Sequence, residues 1–308
     1  MNSTQIFRDI RTEIEIFLKY IRKPFEHFNE KLSFAEKQKI LTILLFAELI
    51  VTVAVVIPVY ELVDVMIELQ YADDLMNLGF YMMLFLGAVI APIMEEFIFR
   101  LPLKWKRNLP AIILNSVSSN DKVKKAWNRY YHIIFYIVAI LFGLVHLTNF
   151  DNSWTPLFIL LIPFITLSQL IAGLTFGYIR NRLGFWWSFL YHALFNFILI
   201  AVPFLMYDNT NIFKIQEKGF TAEATLHAYR EPRTEITIGK SPNGKIQVVD
   251  AKNIKLSVLT EAVLQEKYQS DEVEYLDFYL NSKGGITEQE LFELLNKELK
   301  LEPLTKQE

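Results

Sequence analysis

The sequence contains no cysteine, which excludes a thiol nucleophile, a disulfide framework and a thiolate metal site. It also lacks a surplus of charge of either sign. The 308 residues carry 31 Lys and Arg against 34 Asp and Glu, a net charge of −3, and that balance argues against nucleic acid as a partner. The expected short apolar core of a cleavable signal peptide is missing, because the N-terminus is polar and the first apolar run starts late and runs long. Apolar residues are abundant, at 52% of the chain, and they are concentrated between about residues 40 and 206.

A helix needs about 20 mostly apolar residues to cross the hydrocarbon of a bilayer. Five stretches qualify: Ile40 to about Leu62, about Leu78 to Phe99, about Tyr130 to Leu147, about Trp154 to Ile179 and about Phe185 to Tyr207. The expected fold class is an all-α polytopic membrane helix bundle of about five spans with a small soluble α+β C-terminal domain. Its parts are a cytoplasmic amphipathic segment over 1–39, a first transmembrane helix with an acidic loop over 40–77, a membrane core over 78–207 and a soluble domain over 214–308.

Basic residues between spans favour the cytoplasmic side. They crowd the segment before the first span (Arg8, Arg11, Lys19, Arg22, Lys23, Lys31, Lys37, Lys39) and the third connection (Lys104, Lys106, Arg107, Lys122, Lys124, Lys125, Arg129). The second connection holds Glu61, Asp64, Glu68, Asp73 and Asp74 and no basic residue. The alternation predicts a multi-pass plasma-membrane protein with a cytoplasmic N-terminus and a C-terminal domain on the opposite side. Residues 5–30 alternate apolar and charged groups at helical spacing, which fits a helix lying on the membrane surface or one packed on the cytosolic mouth of the bundle.

Polar groups inside these spans are the informative residues. A charged side chain at mid-bilayer costs about 2.5–3.5 kcal/mol on insertion scales, so it normally faces the bundle interior and is paired or functional. The second span reads Ala91-Pro-Ile-Met-Glu95-Glu96-Phe-Ile-Phe-Arg100. Glu96 and Arg100 stand at i and i+4 and can pair, whereas Glu95 points about 100° away. The third span ends in Phe142-Gly-Leu-Val-His146, and the fifth carries His192-Ala-Leu-Phe-Asn196. Taken singly, each segment is explainable as packing: an ion pair at a span end, an interfacial histidine, an interhelical hydrogen bond worth about 0.6 kcal/mol. Three spans contributing carboxylate, imidazole, and imidazole plus amide point instead to one shared site. In the fourth span, Gly173-Leu-Thr-Phe-Gly177 has the spacing that lets helices approach closely.

A carboxylate that water reaches inside a low-dielectric pocket is a stronger base than one in bulk solvent, so Glu95 is the candidate base for activating a water. A nearby histidine can orient that water or shuttle its proton, and His192 and Asn196 offer donors for a developing oxyanion. Arg100 would hold Glu96. This is equipment for hydrolysis at an acyl carbon. Glu95, His146 and His192 could alternatively hold a divalent metal such as Zn²⁺, although no HExxH signature is present. No other cofactor is called for.

The ordered set EExxxR, FxxxH and HxxxN, read here as Glu95-Glu96…Arg100, Phe142…His146 and His192…Asn196, resembles the type II CAAX prenyl endopeptidase family of CAAX proteases and bacteriocin-processing enzymes, also called the Abi family. The stretch from Gln169 to Arg180 and the following Arg-Asn-Arg-Leu-Gly-Phe-Trp-Trp turn are also similar, so the likeness covers roughly 78–206. The resemblance implies an intramembrane peptidase with Glu95 as the water-activating glutamate, His146 and His192 as catalytic histidines and Asn196 as the oxyanion-hole asparagine, with a membrane-associated peptide or protein as substrate. Whether a metal takes part has been argued both ways for the family. Eukaryotic members remove three residues after a prenylated cysteine, whereas bacterial members generally lack prenylated targets, so the likeness implies the chemistry without a substrate. A non-enzymatic scaffold or bacteriocin-immunity protein on the same fold is the alternative. A transporter is the third reading, disfavoured because no Gly- or Pro-broken helix pair is evident.

Hydropathy puts Glu95 toward the cytoplasmic side and His146 toward the other, so a longer second helix, a deeply entering third helix or a different third boundary is required. Beyond Tyr207, Asp208-Asn-Thr-Asn reads as a linker. Strands are expected at Thr234–Gly239, Lys245–Asp250 and Glu274–Asn281, and helices at Ile254–Tyr268 and Thr287–Leu299, the last capped by Thr287 with Glu290. This order faintly resembles small envelope domains fused to bacterial sensors and secretins, which implies a docking role and an envelope partner.

Overall fold

The computed structural model describes residues 3–70, 79–227, 235–270 and 273–304. The chain divides into two compact units, one of residues 1–73 and 85–198, the other of 74–84 and 199–308. Asp73, Asp74 and Leu78, expected in the acidic connection and at the head of the second span, lie outside the described residues.

Five helices are long and apolar enough to cross a membrane: Phe34–Ile67, Phe80–Leu103, Lys122–Asn149, Pro156–Arg182 and Phe185–Tyr207. The first starts six residues before the expected Ile40, because Ser33 and Glu36 form a reciprocal capping box that satisfies amides otherwise left open at a helix start. The third starts at Lys122 rather than Tyr130 and bends at Tyr130, whose φ is −109° and ψ is 16°. The fourth is broken at Thr166. Pro163 cannot donate to a carbonyl one turn back, and the Thr166 hydroxyl donates to the Ile162 carbonyl at 2.8 Å. This break is a departure from the unbroken span expected.

The third and fourth spans approach closely, and glycine is the reason. A Cβ on Gly177 would lie 2.6 Å from the Phe135 ring, and one on Gly173 would lie 3.1–3.3 Å from the backbone and Cβ of Ala139. At Gly143, on the third span itself, a Cβ would meet Leu170 at 2.8 Å.

The N-terminal helix (Ser3–Arg22) packs against the bundle. Tyr20 is 2% exposed. Asn181 Nδ2 donates to the hydroxyls of Tyr20 (2.7 Å) and Tyr131 (2.6 Å), while Arg182 pairs with Glu13 at 2.5 Å and Glu30 at 3.1 Å. The Tyr20 ring meets Phe28, Phe135 and Tyr178. Elsewhere in the unit, Asn152 accepts from Gln70 N at 2.8 Å and donates to the Glu68 carbonyl at 2.9 Å, tying together the connections that follow the first and third spans.

In the second unit the Phe80 ring stacks on Phe204 with centroids 3.6 Å apart. Strands β1 (Thr210–Glu217), β2 (Phe220–His227), β3 (Glu235–Lys240), β4 (Ile246–Lys255) and β6 (Tyr275–Ile286) form an antiparallel sheet in the order β1-β2-β6-β4-β3. β5 (Tyr268–Gln269) pairs with β7 (Glu302–Pro303). Helices Leu256–Leu264 and Glu288–Leu299 bury Leu259, Val263, Leu291 and Leu295 in the same core as Phe278 and Leu280. The expected linker is instead the approach to β1, which begins at Thr210, and β1 and β2 are strands that the sequence did not announce. Thr287 and Glu290 form the expected capping box.

Gly177→Leu forces a branched side chain onto Phe135 and is expected to lower stability by roughly 1–3 kcal/mol, as overpacked cores do. Thermal unfolding in detergent measures this, with Gly284→Ala as a control because a Cβ there meets nothing within 4 Å.

Candidate functional site

The second span is not uniformly α-helical. π-Helical turns at Leu86–Ile90 and Glu96–Arg100 flank the short α segment Ala91–Glu95. In the first π turn Ala91 N–H donates to the Leu86 carbonyl. The next amide in that register would belong to residue 92, and Pro92 has none. The Gly87 carbonyl is thereby released, and Asn196 Nδ2 of the fifth span donates to it at 2.8 Å.

Successive residues on a helix diverge by about 100°, and Glu95 and Glu96 accordingly enter different surroundings. Glu96 is fully buried, with Oε1 3.6 Å from Arg100 Nε, and Arg100 is 1% exposed. The Arg100 guanidinium lies 3.8 Å from the centroid of the Phe142 ring, a cation–π contact that strengthens away from water. His192, 2% exposed, brings Nδ1 to 3.4 Å from Glu96 Oε1. Phe176 of the fourth span lies against the His192 ring with centroids 4.2 Å apart.

Glu95 keeps 22% of its side chain accessible. Its Oε2 is 3.6 Å from His192 Nε2 and 3.9 Å from His146 Nε2, so this carboxylate, turned away from Arg100, faces two imidazoles. His146 caps the α-helical part of the third span, and its Nδ1 is 2.7 Å from the Phe142 carbonyl. A carbonyl only accepts, so Nδ1 carries the hydrogen and Nε2 of the neutral ring is an acceptor.

Five of the six residues singled out in the sequence are thus gathered: Glu95, Glu96, Arg100, His146 and His192. Asn196 lies on the same face as His192, one turn on, but its hydrogen bond goes to the Gly87 carbonyl rather than to the carboxylate–imidazole group. Glu95 and His146 meet although hydropathy puts them toward opposite sides, and the helix boundaries differ from those expected. The second helix runs on to Leu103, where its carbonyl accepts from Tyr131 at 2.9 Å, and the third begins eight residues earlier than expected.

Two residues went unremarked in the sequence. Glu48, in the middle of the first span, is 5% exposed, and its Oε2 accepts from the Tyr191 hydroxyl at 2.6 Å. Tyr191 is fully buried and directly precedes His192. The signal was available, since a lone acid within an apolar span is itself a flag. Among the described residues no group of three or more His, Cys, Asp or Glu side chains is arranged to hold a metal ion.

Residues 77–198, the stretch that holds all these groups except Glu48, match the family described as type II CAAX prenyl endopeptidase Rce1-like. Comparisons with curated proteins and with solved structures find no match. The two carboxylates and the facing histidines accordingly lie within the stretch, residues 77–198, that is similar to a type II CAAX prenyl endopeptidase Rce1-like domain.

Proposed function

We propose that the chain is an intramembrane endopeptidase in which Glu95 activates a water for attack on a peptide bond of a membrane-associated substrate. The observation that carries this reading is the approach of Glu95 Oε2 to two imidazole nitrogens, at 3.6 and 3.9 Å, where the side chains of Glu95 and His146 remain partly accessible. These separations are too long for direct hydrogen bonds and suit polar atoms that share one water. Glu95 takes a proton from that water as its oxygen bonds to the scissile carbonyl carbon. His192, braced by Glu96, and His146, braced by the Phe142 carbonyl, hold the water and relay the proton to the leaving amine as the C–N bond breaks. Once protonated, either Nε2 also becomes a donor to the oxyanion. Asn196 acts as a brace on the second span through Gly87, and Glu96 with Arg100 fixes the helix that carries Glu95. No step requires a metal.

The Lys and Arg bias supports a cytoplasmic N-terminus, with the C-terminal domain across the membrane as a docking module for substrate or an envelope partner. The intact set of Glu95, His146 and His192 favours the enzyme over a scaffold, which would have no use for an accessible carboxylate between two rings.

Glu95→Gln and His192→Ala, made separately, should each reduce cleavage of a membrane-tethered reporter by about 10²–10⁴-fold while membrane insertion stays at wild-type level, and Glu95→Gln should also keep wild-type thermal stability. Wild-type turnover in either variant removes that residue from its role. Chelator treatment of the purified protein should leave the rate unchanged; loss restored by Zn²⁺ would mean that the two histidines and Glu95 are metal ligands. Because the chain has no cysteine, engineered thiols report topology without background. Lys240→Cys should react with an impermeant maleimide from outside intact cells and Lys37→Cys only after permeabilisation, and the reverse pattern would invert the orientation.

A further inference from the structure

A concentration of positive charge in the first unit lies outside the carboxylate–imidazole group. A cleft of about 700 Å³ is formed by the turn after the N-terminal helix, the turn Trp105–Arg107 and the opening turns of the third span. Lys23, Lys106, Lys124 and Arg129 line it, all four are exposed, and none of them is ion-paired among the described residues. The lining also includes the imidazoles of His27 and His132.

The one acid in the lining is already engaged. Glu26 Oε1 accepts from Trp105 N at 2.8 Å and faces His27 Nε2 at 3.1 Å, while Oε2 accepts from the Trp127 indole at 2.8 Å. Its side chain is only 9% exposed. The cleft therefore presents four positive charges against the single, already hydrogen-bonded carboxylate of Glu26, an arrangement that is self-repelling when empty and suited to phosphate oxygens.

The surroundings identify the source of that phosphate. The short helix Leu109–Ser116, which follows the Trp105–Arg107 turn, leaves Leu109 66%, Ile113 65% and Leu114 58% exposed, with Val117 just beyond at 79%. A bare apolar row of this kind fits burial among acyl chains rather than contact with water. Trp105, which packs on the buried Trp127, and Tyr131 line the cleft together with the cationic side chains, and aromatic and basic residues mix in this way at a bilayer boundary. We propose that this cleft binds the phosphate headgroup of an anionic phospholipid, taken from the leaflet on the side of the N-terminal helix. The volume is in the range of small-molecule sites. An occupant would bridge the turn after the N-terminal helix to the second and third spans, and it is independent of the peptidase assignment.

The test uses the purified full-length chain in neutral detergent, titrated with dihexanoyl phosphatidylglycerol, dihexanoyl phosphatidylcholine and sn-glycerol 3-phosphate and read by tryptophan fluorescence, since Trp105 lines the cleft. Phosphatidylglycerol should bind, and the triple variant Lys106→Gln, Lys124→Gln, Arg129→Gln should weaken it roughly tenfold or more. A control with Arg8→Gln, Lys31→Gln and Lys37→Gln removes as many charges outside the cleft and should stay within about twofold of wild type. Should the triple variant fail to fold, Lys106→Glu alone, on an exposed turn, carries the same expectation. Equal affinity for phosphatidylcholine, or an equal loss in the control, would overturn the site. Binding of sn-glycerol 3-phosphate as tight as that of phosphatidylglycerol would overturn the lipid assignment in favour of a soluble phosphate compound.

Discussion

Glu96 and Arg100 meet inside an apolar bundle where neither side chain reaches water, and most of the membrane core is arranged around that pair. Two charges taken out of water are stable only if their surroundings replace hydration, and breaking such a pair leaves an uncompensated charge that costs about 3–5 kcal/mol. Here the replacement comes from several elements: the Phe142 face from the third span, Phe176 from the fourth and the His192 ring from the fifth. Each contact that stabilises the pair also fixes the position of a neighbouring helix. The first span joins at a second buried acid, Glu48, through Tyr191.

Adjacency in sequence then separates two carboxylates in role. Because consecutive positions diverge around the helix, Glu96 is fully buried while its neighbour keeps about a fifth of its side chain, 22%, accessible at the edge of the cluster. Similar chemical groups acquire different work from environment alone. The close approach of the third and fourth spans at Gly173 and Gly177 serves the same end, since bulkier residues there would push Phe142 and His146 away from the second span.

Much of this could be read from the residues. Long apolar stretches give the five spans by length, and acids or imidazoles within them stand out because hydrocarbon makes them expensive. What could not be read depends on contacts distant in sequence or on local backbone register. Asn181 meets Tyr20 from 161 positions away, so the choice between a surface helix and a packed one was undetermined. Asn196 has the spacing of a partner for His192, yet its acceptor exists only because a π turn and Pro92 together release a carbonyl. No hydropathy pattern encodes that. β1 and β2 were hidden for another reason, as the polar Asp208-Asn-Thr-Asn preceding them looks like linker and their burial alternates only weakly.

The π turn at Leu86–Ile90 has one more consequence. It amounts to a residue in excess of the regular spiral, and everything after it in the span inherits the added rotation. Deleting a single apolar residue from that turn would leave the span as greasy and nearly as long as before, while swinging Glu95 and Glu96 by roughly 100°. The acid once turned to the rings would then face a different neighbour. For this helix, counting residues matters more than averaging their hydrophobicity.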